Sequence, residues 1–181
     1  LESETKSLQD GIRKAHEMVR KDTLTGIGNR QALMDALETE YIRWQRYKHP
    51  LSLVVWDIDN FKQINDNLGH LAGDKILIRI AEILSTSTRE IDFVARFGGE
   101  EFVGIFPATA LAETMVLANK IREEISNTRF LYDGKPVPIT VSAGVATFHQ
   151  GDNTEKVFKR ADAAMFKAKK QGRNVCIVEE I

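Results

Sequence analysis

The chain has 181 residues, 43% hydrophobic and 28% charged, with a formal net charge of -1. That length can bury one sizeable core, and the balanced charge leaves no global basic field for duplex nucleic acid, so a nucleotide would have to be gripped locally. The single cysteine, Cys176, excludes a disulfide framework or thiolate zinc site and fits a reducing cytosol; no apolar run approaches the roughly 20 residues of a membrane span, and the charged N-terminus is unlike a secretory signal.

The first segment, "LESETKSLQDGIRKAHEMVRKD", carries Leu1, Leu8 and Ala15 at one seven-residue phase and Thr5, Ile12 and Val19 at the other. That is a coiled-coil seam, weakened by Gly11, which costs about 1 kcal/mol inside a helix. Residues 1–21 are therefore expected to form a linker or signalling helix, and 22–181 one domain. A chain that opens on Leu rather than Met is expected to be a fragment with sequence upstream.

After the turn "DTLTGIGN", Asn29 can cap a helix to about Lys48, with Leu33, Leu37, Tyr41 and Trp44 on one face. Gly26 and Gly28 do not make a dinucleotide loop, since no strand precedes them. "LSLVVWDI" (51–58) reads as a buried strand. Helical spacing follows in "NFKQINDNL", where Phe61, Ile64 and Leu68 are core candidates, and again over 74–84. "DFVARFGGEEFVGIF" is a hairpin whose Gly-Gly suits a tight turn at positive φ. A helix is expected over 110–126, a turn in "YDGKPVP", a strand in "ITVSAGVATF", a helix over 154–171 stopped by Gly172, and a last strand in "NVCIVEE". This order predicts an α+β fold: a central, mostly antiparallel sheet with helices around it, close to a ferredoxin-like palm core, plus the N-terminal helix.

The hairpin raises a chemical question, because Glu100 and Glu101 repel each other and Glu is depleted from strands. Asp57 ends the first strand, and Glu100 opens a strand expected to pair beside it. Two carboxylates meeting there suit a hard cation such as Mg2+, which takes one or two carboxylates and leaves positions for water and phosphate. Glycines beside them let phosphates approach the backbone. Glu101 should point to the opposite face from Glu100 unless the turn distorts the pleat. No histidine of His16, His49, His70 and His149 has metal-ligand spacing.

The stretches "DTLTGIGNR" (22–30), "DIDNFKQINDNLGHLAGD" (57–74), "GGEEF" (98–102) and "ADAAMFKAKKQGRN" (161–174) together resemble the GGDEF family of diguanylate cyclases, over residues 22 to about 180. The resemblance implies condensation of two GTP into cyclic di-GMP with release of two pyrophosphates, by two copies that face each other, in the cytoplasm. It implies Mg2+ (or Mn2+) on Asp57, the Ile58 carbonyl and Glu100. Gly98 and Gly99 would lie against the nucleotide, Asn65 and Asp74 on guanine, and Lys169, Arg173 and the backbone from Asn60 through Phe61 to Lys62 on phosphates. Guanine's N1 and N2 donors match an acceptor-only carboxylate such as Asp74, which could also cap its helix. Glu101 is the candidate for a second metal contact or proton acceptor.

"REID", Arg89 to Asp92, resembles the family's inhibitory product site, where cyclic di-GMP binds. An upstream sensory domain is expected, and contact with a membrane or nucleic acid polymer is not. The alternative from another class is a catalytically silent module that binds GTP or cyclic di-GMP.

Overall fold

The computed structural model of the chain describes residues 2–181. Thirteen elements run α1 (Glu2–Val19), α2 (Arg30–Tyr47), β1 (Leu51–Ile58), α3 (Phe61–Leu68), α4 (His70–Ser87), β2 (Phe93–Arg96), β3 (Glu101–Pro107), α5 (Leu111–Asn127), β4 (Phe130–Tyr132), β5 (Lys135–Val137), β6 (Val141–Thr147), α6 (Thr154–Lys170) and β7 (Cys176–Val178). A five-stranded sheet has the order β2-β3-β1-β6-β7. Its pairs are antiparallel except β6 with β7. The sheet is the expected α+β, mostly antiparallel palm, and β1 lies at its centre.

Period-two alternation along β1 sorts its side chains between two cores. Val54, Trp56 and Ile58 face Ile76, Ile80 and Ile121 of α4 and α5, while Leu53 and Val55 face Leu33 and Leu37 of α2 and Val157 and Ala161 of α6. Asp57 continues the α2/α6 face and emerges where that layer ends. α6 packs on β6 so closely that a Cβ at Gly144 would lie 1.9 Å from the Ala161 carbonyl oxygen. Gly104, unexplained by the sequence, makes room for the edge-on pair of Trp56 and Phe106; a Cβ there would lie 2.6 Å from the Phe106 ring.

Asn29 caps α2 as expected, its side chain accepting from the Ala32 N–H at 2.9 Å. α4 begins at His70, four residues before its expected start, so Asp74 lies inside the helix and is not its cap. "YDGKPVP" is more than a turn: it joins β4 and β5 in a small hairpin, with Asp133 and Gly134 both at positive φ as a two-residue Asp-Gly loop requires. Leu8, Ile12 and Val19 on α1 are all exposed. Leu1 of the expected seam lies outside the described residues.

Candidate active site

The β1/β3 register sets Asp57 directly opposite Glu101, not opposite Glu100. β3 starts at Glu101, and Glu100 is the last loop residue, its carbonyl accepting from the Ile58 N–H at 3.2 Å. Because Glu100 precedes the pleat, alternation does not force it away from Asp57. The loop between the hairpin strands is four residues long, Phe97 to Glu100, and both the Phe97 and Gly98 N–H groups donate to the Glu101 carbonyl, at 2.8 and 3.3 Å. Neither Gly98 nor Gly99 has positive φ, so the turn does not require them. A Cβ at Gly99 would meet nothing within 4 Å, and one at Gly98 only Glu101. What these glycines leave is open backbone beside the carboxylates.

The carboxylates act on one another. Burial lifts the Glu101 carboxyl to about 7, with Asp162 on α6 and Asp57 adding to it and Arg30 opposing. Glu100 is raised by burial and then by Asp57. Asp57 is raised by burial, an effect that Lys169 offsets only in part. Lys169 Nζ sits 2.6 Å from Asp57 Oδ1 and 3.1 Å from the Asp57 carbonyl oxygen. Carboxylates pressed together with too little positive charge form a donor set that suits a hard divalent cation. Among the described residues no three acidic, His or Cys side chains make a metal cluster. Two carboxylates and a carbonyl with room for phosphate oxygens is the arrangement Mg2+ commonly accepts.

Asp59 differs from Asp57. Its buried carboxylate accepts from Ser142 Oγ, Thr140 Oγ1, Lys169 Nζ and the Asn174 N–H. Burial works to raise it, but the bonds to Lys169, Ser142 and Thr140 hold it below the ordinary carboxylate range. Next to it, Asn60 enters α3 in the left-handed region with no side-chain cap. The N–H groups of Phe61, Lys62 and Gln63 therefore have no intrahelical acceptor. The Phe61 ring is buried in the core, so only its backbone can reach a ligand, while Lys62 is exposed.

Asn65 is held by the close approach of α3 and α4. A Cβ at Gly73 would fall 1.9 Å from its Oδ1, and that oxygen is buried with no partner among the described residues. The amide NH2 is thus the outward end, and the half-buried Asp74 follows Gly73 on α4. α6 ends at Lys170, and Gly172, Arg173 and Asn174 all have positive φ. Two side-chain-bearing residues in that region cost about 1–3 kcal/mol each and need external support. Arg173 is exposed, four residues beyond Lys169 in the chain.

Arg89 and Asp92 close on each other. Arg89 donates from Nη2 to Asp92 Oδ1 at 2.8 Å and to Thr109 Oγ1 at 2.7 Å, and Asp92 Oδ2 accepts from the Arg89 N–H at 2.8 Å. The Asp92 side chain has no exposure while that of Arg89 is 53% exposed, so a ligand would meet the guanidinium first.

Sequence reasoning gave no role to Arg30, Arg96, Asp162 or Asp59. Arg30 lies 4.4 Å above the Phe97 ring at the hairpin tip. Arg96 ties the tip to the 22–29 loop, donating to the Gly99 carbonyl at 2.8 Å and to Asp22 at 3.4 Å. Asp162 and Lys169 are seven apart on α6, two turns on one face, and that spacing was the available signal.

The family described as diguanylate cyclase, GGDEF domain, matches residues 19–175. Diguanylate cyclase DgcP of Pseudomonas aeruginosa is 44% identical over 96% of this chain and 26% of its own length. Response regulator PleD of Caulobacter vibrioides is 38% identical over 96% of the chain and 39% of its own length. The chain thus spans well under half of either relative. Among solved structures, the coiled coil and GGDEF domain of DgcB from Caulobacter crescentus, in complex with c-di-GMP, has a TM-score of 0.92 at 31% identity, covering 97% of this chain and 94% of that one.

Proposed function

Since the chain belongs to the GGDEF family of diguanylate cyclase domains, we propose that it condenses two GTP into cyclic di-GMP and two pyrophosphates. The observation that carries this is the trio Asp57, Glu100 and Glu101, whose carboxyls all lie above their ordinary values beside a glycine loop open to a ligand.

Asp57, the Ile58 carbonyl and Glu100 would hold Mg2+ or Mn2+. Bound there, a divalent ion supplies a lowered pKa for the attacking hydroxyl and a counter-charge for the phosphates. Asn65 and Asp74 read guanine in this proposal: the outward NH2 suits the base's O6 acceptor, and the carboxylate its N1 and N2 donors. A base lacking those donors would leave Asp74 unpaired, and sites of this kind discriminate strongly. The free N–H groups at the start of α3 donate to phosphate oxygens, as helix N-termini do, with Lys169 and Arg173 supplying positive charge. The 3′-hydroxyl of one GTP bonds to the α-phosphorus of the other, pyrophosphate leaves, and Glu101, poised near neutrality, takes the hydroxyl proton.

One domain presents one such half-site, so two copies face each other. The exposed Leu8, Ile12 and Val19 of α1 offer a seam for that pairing, with residues 1–21 as the signalling helix, 22–181 as the catalytic domain and a sensor upstream. Arg89, with Asp92 behind it, is the proposed product-binding site for inhibition. A cytoplasmic location suits an enzyme that draws on GTP, and among the described residues no helix is long and apolar enough to cross a membrane.

Incubation with GTP and Mg2+ followed by identification of the product tests the reading. Cyclic di-GMP, formed at a specific rate that rises with enzyme concentration and is suppressed by added product, is expected. Saturable GTP binding without product would select a silent module instead.

A further inference from the structure

Asp59 is a buried charge at the centre of this site that the mechanism above leaves unused. We propose that Asp59 is a positioning residue: it fixes both Lys169 and the loop that carries Arg173, so that the two cations meet a triphosphate together, and it is not a metal ligand. The proposal rests on the nucleotide reading just given.

The carboxylate has no capacity left for a cation. Its side chain is 2% exposed. Oδ1 accepts from Ser142 Oγ at 2.7 Å and Lys169 Nζ at 2.9 Å, and Oδ2 accepts from Thr140 Oγ1 at 2.7 Å and the Asn174 N–H at 3.0 Å. Four donors fill the roughly four lone-pair sites of a carboxylate. Asp57, two residues earlier on the same face of the chain, is 16% exposed, and among the described residues its ion-pair partner is Lys169. The Asp-Ile-Asp spacing, which looks like two ligands, divides into one ligand and one anchor.

The anchor reaches both cations. Lys169 bridges Asp57 and Asp59, so a cation that captures Asp57 leaves Lys169 still tied to Asp59 and therefore still at the site. The Asn174 amide bound by Asp59 is the residue after Arg173, in a run of three positive-φ residues, Gly172 to Asn174, that is otherwise held by the Arg173 N–H on the Ala168 carbonyl and by Arg122 on Asn174 Oδ1. One buried carboxylate thus sets where both positive charges stand relative to the end of β1.

Asp59→Asn tests this at constant volume. Whichever way the new amide lies, its NH2 confronts a pair of donors, either Thr140 and Asn174 or Ser142 and Lys169, and so releases one cation. Binding of a non-hydrolysable GTP analogue and of guanosine should be measured by calorimetry for the wild-type chain, Asp59→Asn, Arg173→Ala and the double variant. The expected result is a loss of about 10- to 100-fold for the triphosphate, the scale of one charged hydrogen bond, with guanosine changed by less than about twofold. Arg173→Ala should also cost less in the Asp59→Asn background than in wild type, the signature of residues acting as a unit. Equal losses for both ligands, or strictly additive variants, would make Asp59 a packing residue and overturn the proposal. Unchanged triphosphate binding in Asp59→Asn overturns it alone, whereas a wild-type chain that binds neither ligand overturns the nucleotide reading with it. Should Asp59→Asn fail to fold, hydrogen exchange on the wild type decides: the Asn174 amide should be protected like those of β6, and exchange at the rate of an open loop contradicts the anchor.

Discussion

The two ends of the central sheet carry buried charge in opposite ways. Where β6 ends at Thr147, the Arg160 guanidinium donates to Glu179 Oε2 at 2.5 Å, to both Asp152 oxygens at 2.6 and 2.9 Å, and to the Thr147 carbonyl at 3.0 Å. Glu179 Oε1 accepts in turn from the Thr147 N–H, and His149 Nε2 lies 2.9 Å from it. Bonding to Arg160 holds Asp152 below its ordinary value. Five positions back along β6, roughly 17 Å by strand rise, Asp57, Glu100 and Glu101 sit above theirs, with Lys169 paired to Asp57. Burial acts on both ends. One cluster closes on itself and the other is short of positive charge, so removing a member should damage folding at the first and chemistry at the second.

The largest effect should come from Glu100→Gln. Turnover of GTP should fall on the order of 10³-fold, about 4 kcal/mol in the barrier, while the urea midpoint holds or rises because Asp57 loses a like-charge neighbour. A variant that unfolds as it loses activity would erase the contrast. Arg160→Ala should do the reverse, costing about 3–5 kcal/mol in urea titrations because it strands buried carboxylates, with turnover per folded molecule retained.

Glycines at the two kinds of position sharpen the comparison. Gly144→Ala drives a methyl into the α6 backbone and should destabilise by at least about 1–3 kcal/mol. Gly99→Ala meets nothing in the fold, so its stability should stay within about 0.5 kcal/mol while nucleotide binding weakens. Equal stability losses in the two would show that the hairpin glycines serve the fold.

The comparison also extends to pH dependence. Glu101 has its carboxyl raised from 4.5 to about 7 in the folded chain, so the folded state binds that proton more tightly than the unfolded one. Its contribution to stability is fully present below about pH 4.5 and is lost as pH rises through about 7. Urea titrations without divalent metal should show wild-type stability falling across that window relative to Glu101→Gln. Parallel curves would mean that Glu101 is not perturbed.

Much of this was legible because it depends on local chemistry. Asn29 before an amphipathic run gave the α2 start, and the apolar run from Leu51 with Asp57 at its end gave the central strand. Register was not legible: that Asp57 faces Glu101, with Glu100 in the loop, depends on a hairpin loop of four residues rather than two. The anchoring by Asp59 was not legible either, because its partners, Thr140, Ser142 and Asn174, lie more than 80 residues away in the chain. The α4 start moved from Asp74 to His70 because Gly69 (φ 87) turns the chain directly from α3, and Gly73 then packs on Asn65, a contact no periodicity encodes. Asp133-Gly134 did announce the β4–β5 hairpin, but strands of three residues are too short for alternation to register.

The most direct measurement is a crystal structure of the chain with a non-hydrolysable GTP analogue and Mn2+, read by anomalous scattering. The account predicts a metal peak about 2.0–2.2 Å from carboxylate oxygens of both Asp57 and Glu100 and from the Ile58 carbonyl, with phosphate oxygens completing the shell. A nucleotide bound with its phosphates away from the β1/β3 end, or a metal that touches neither carboxylate, would contradict it.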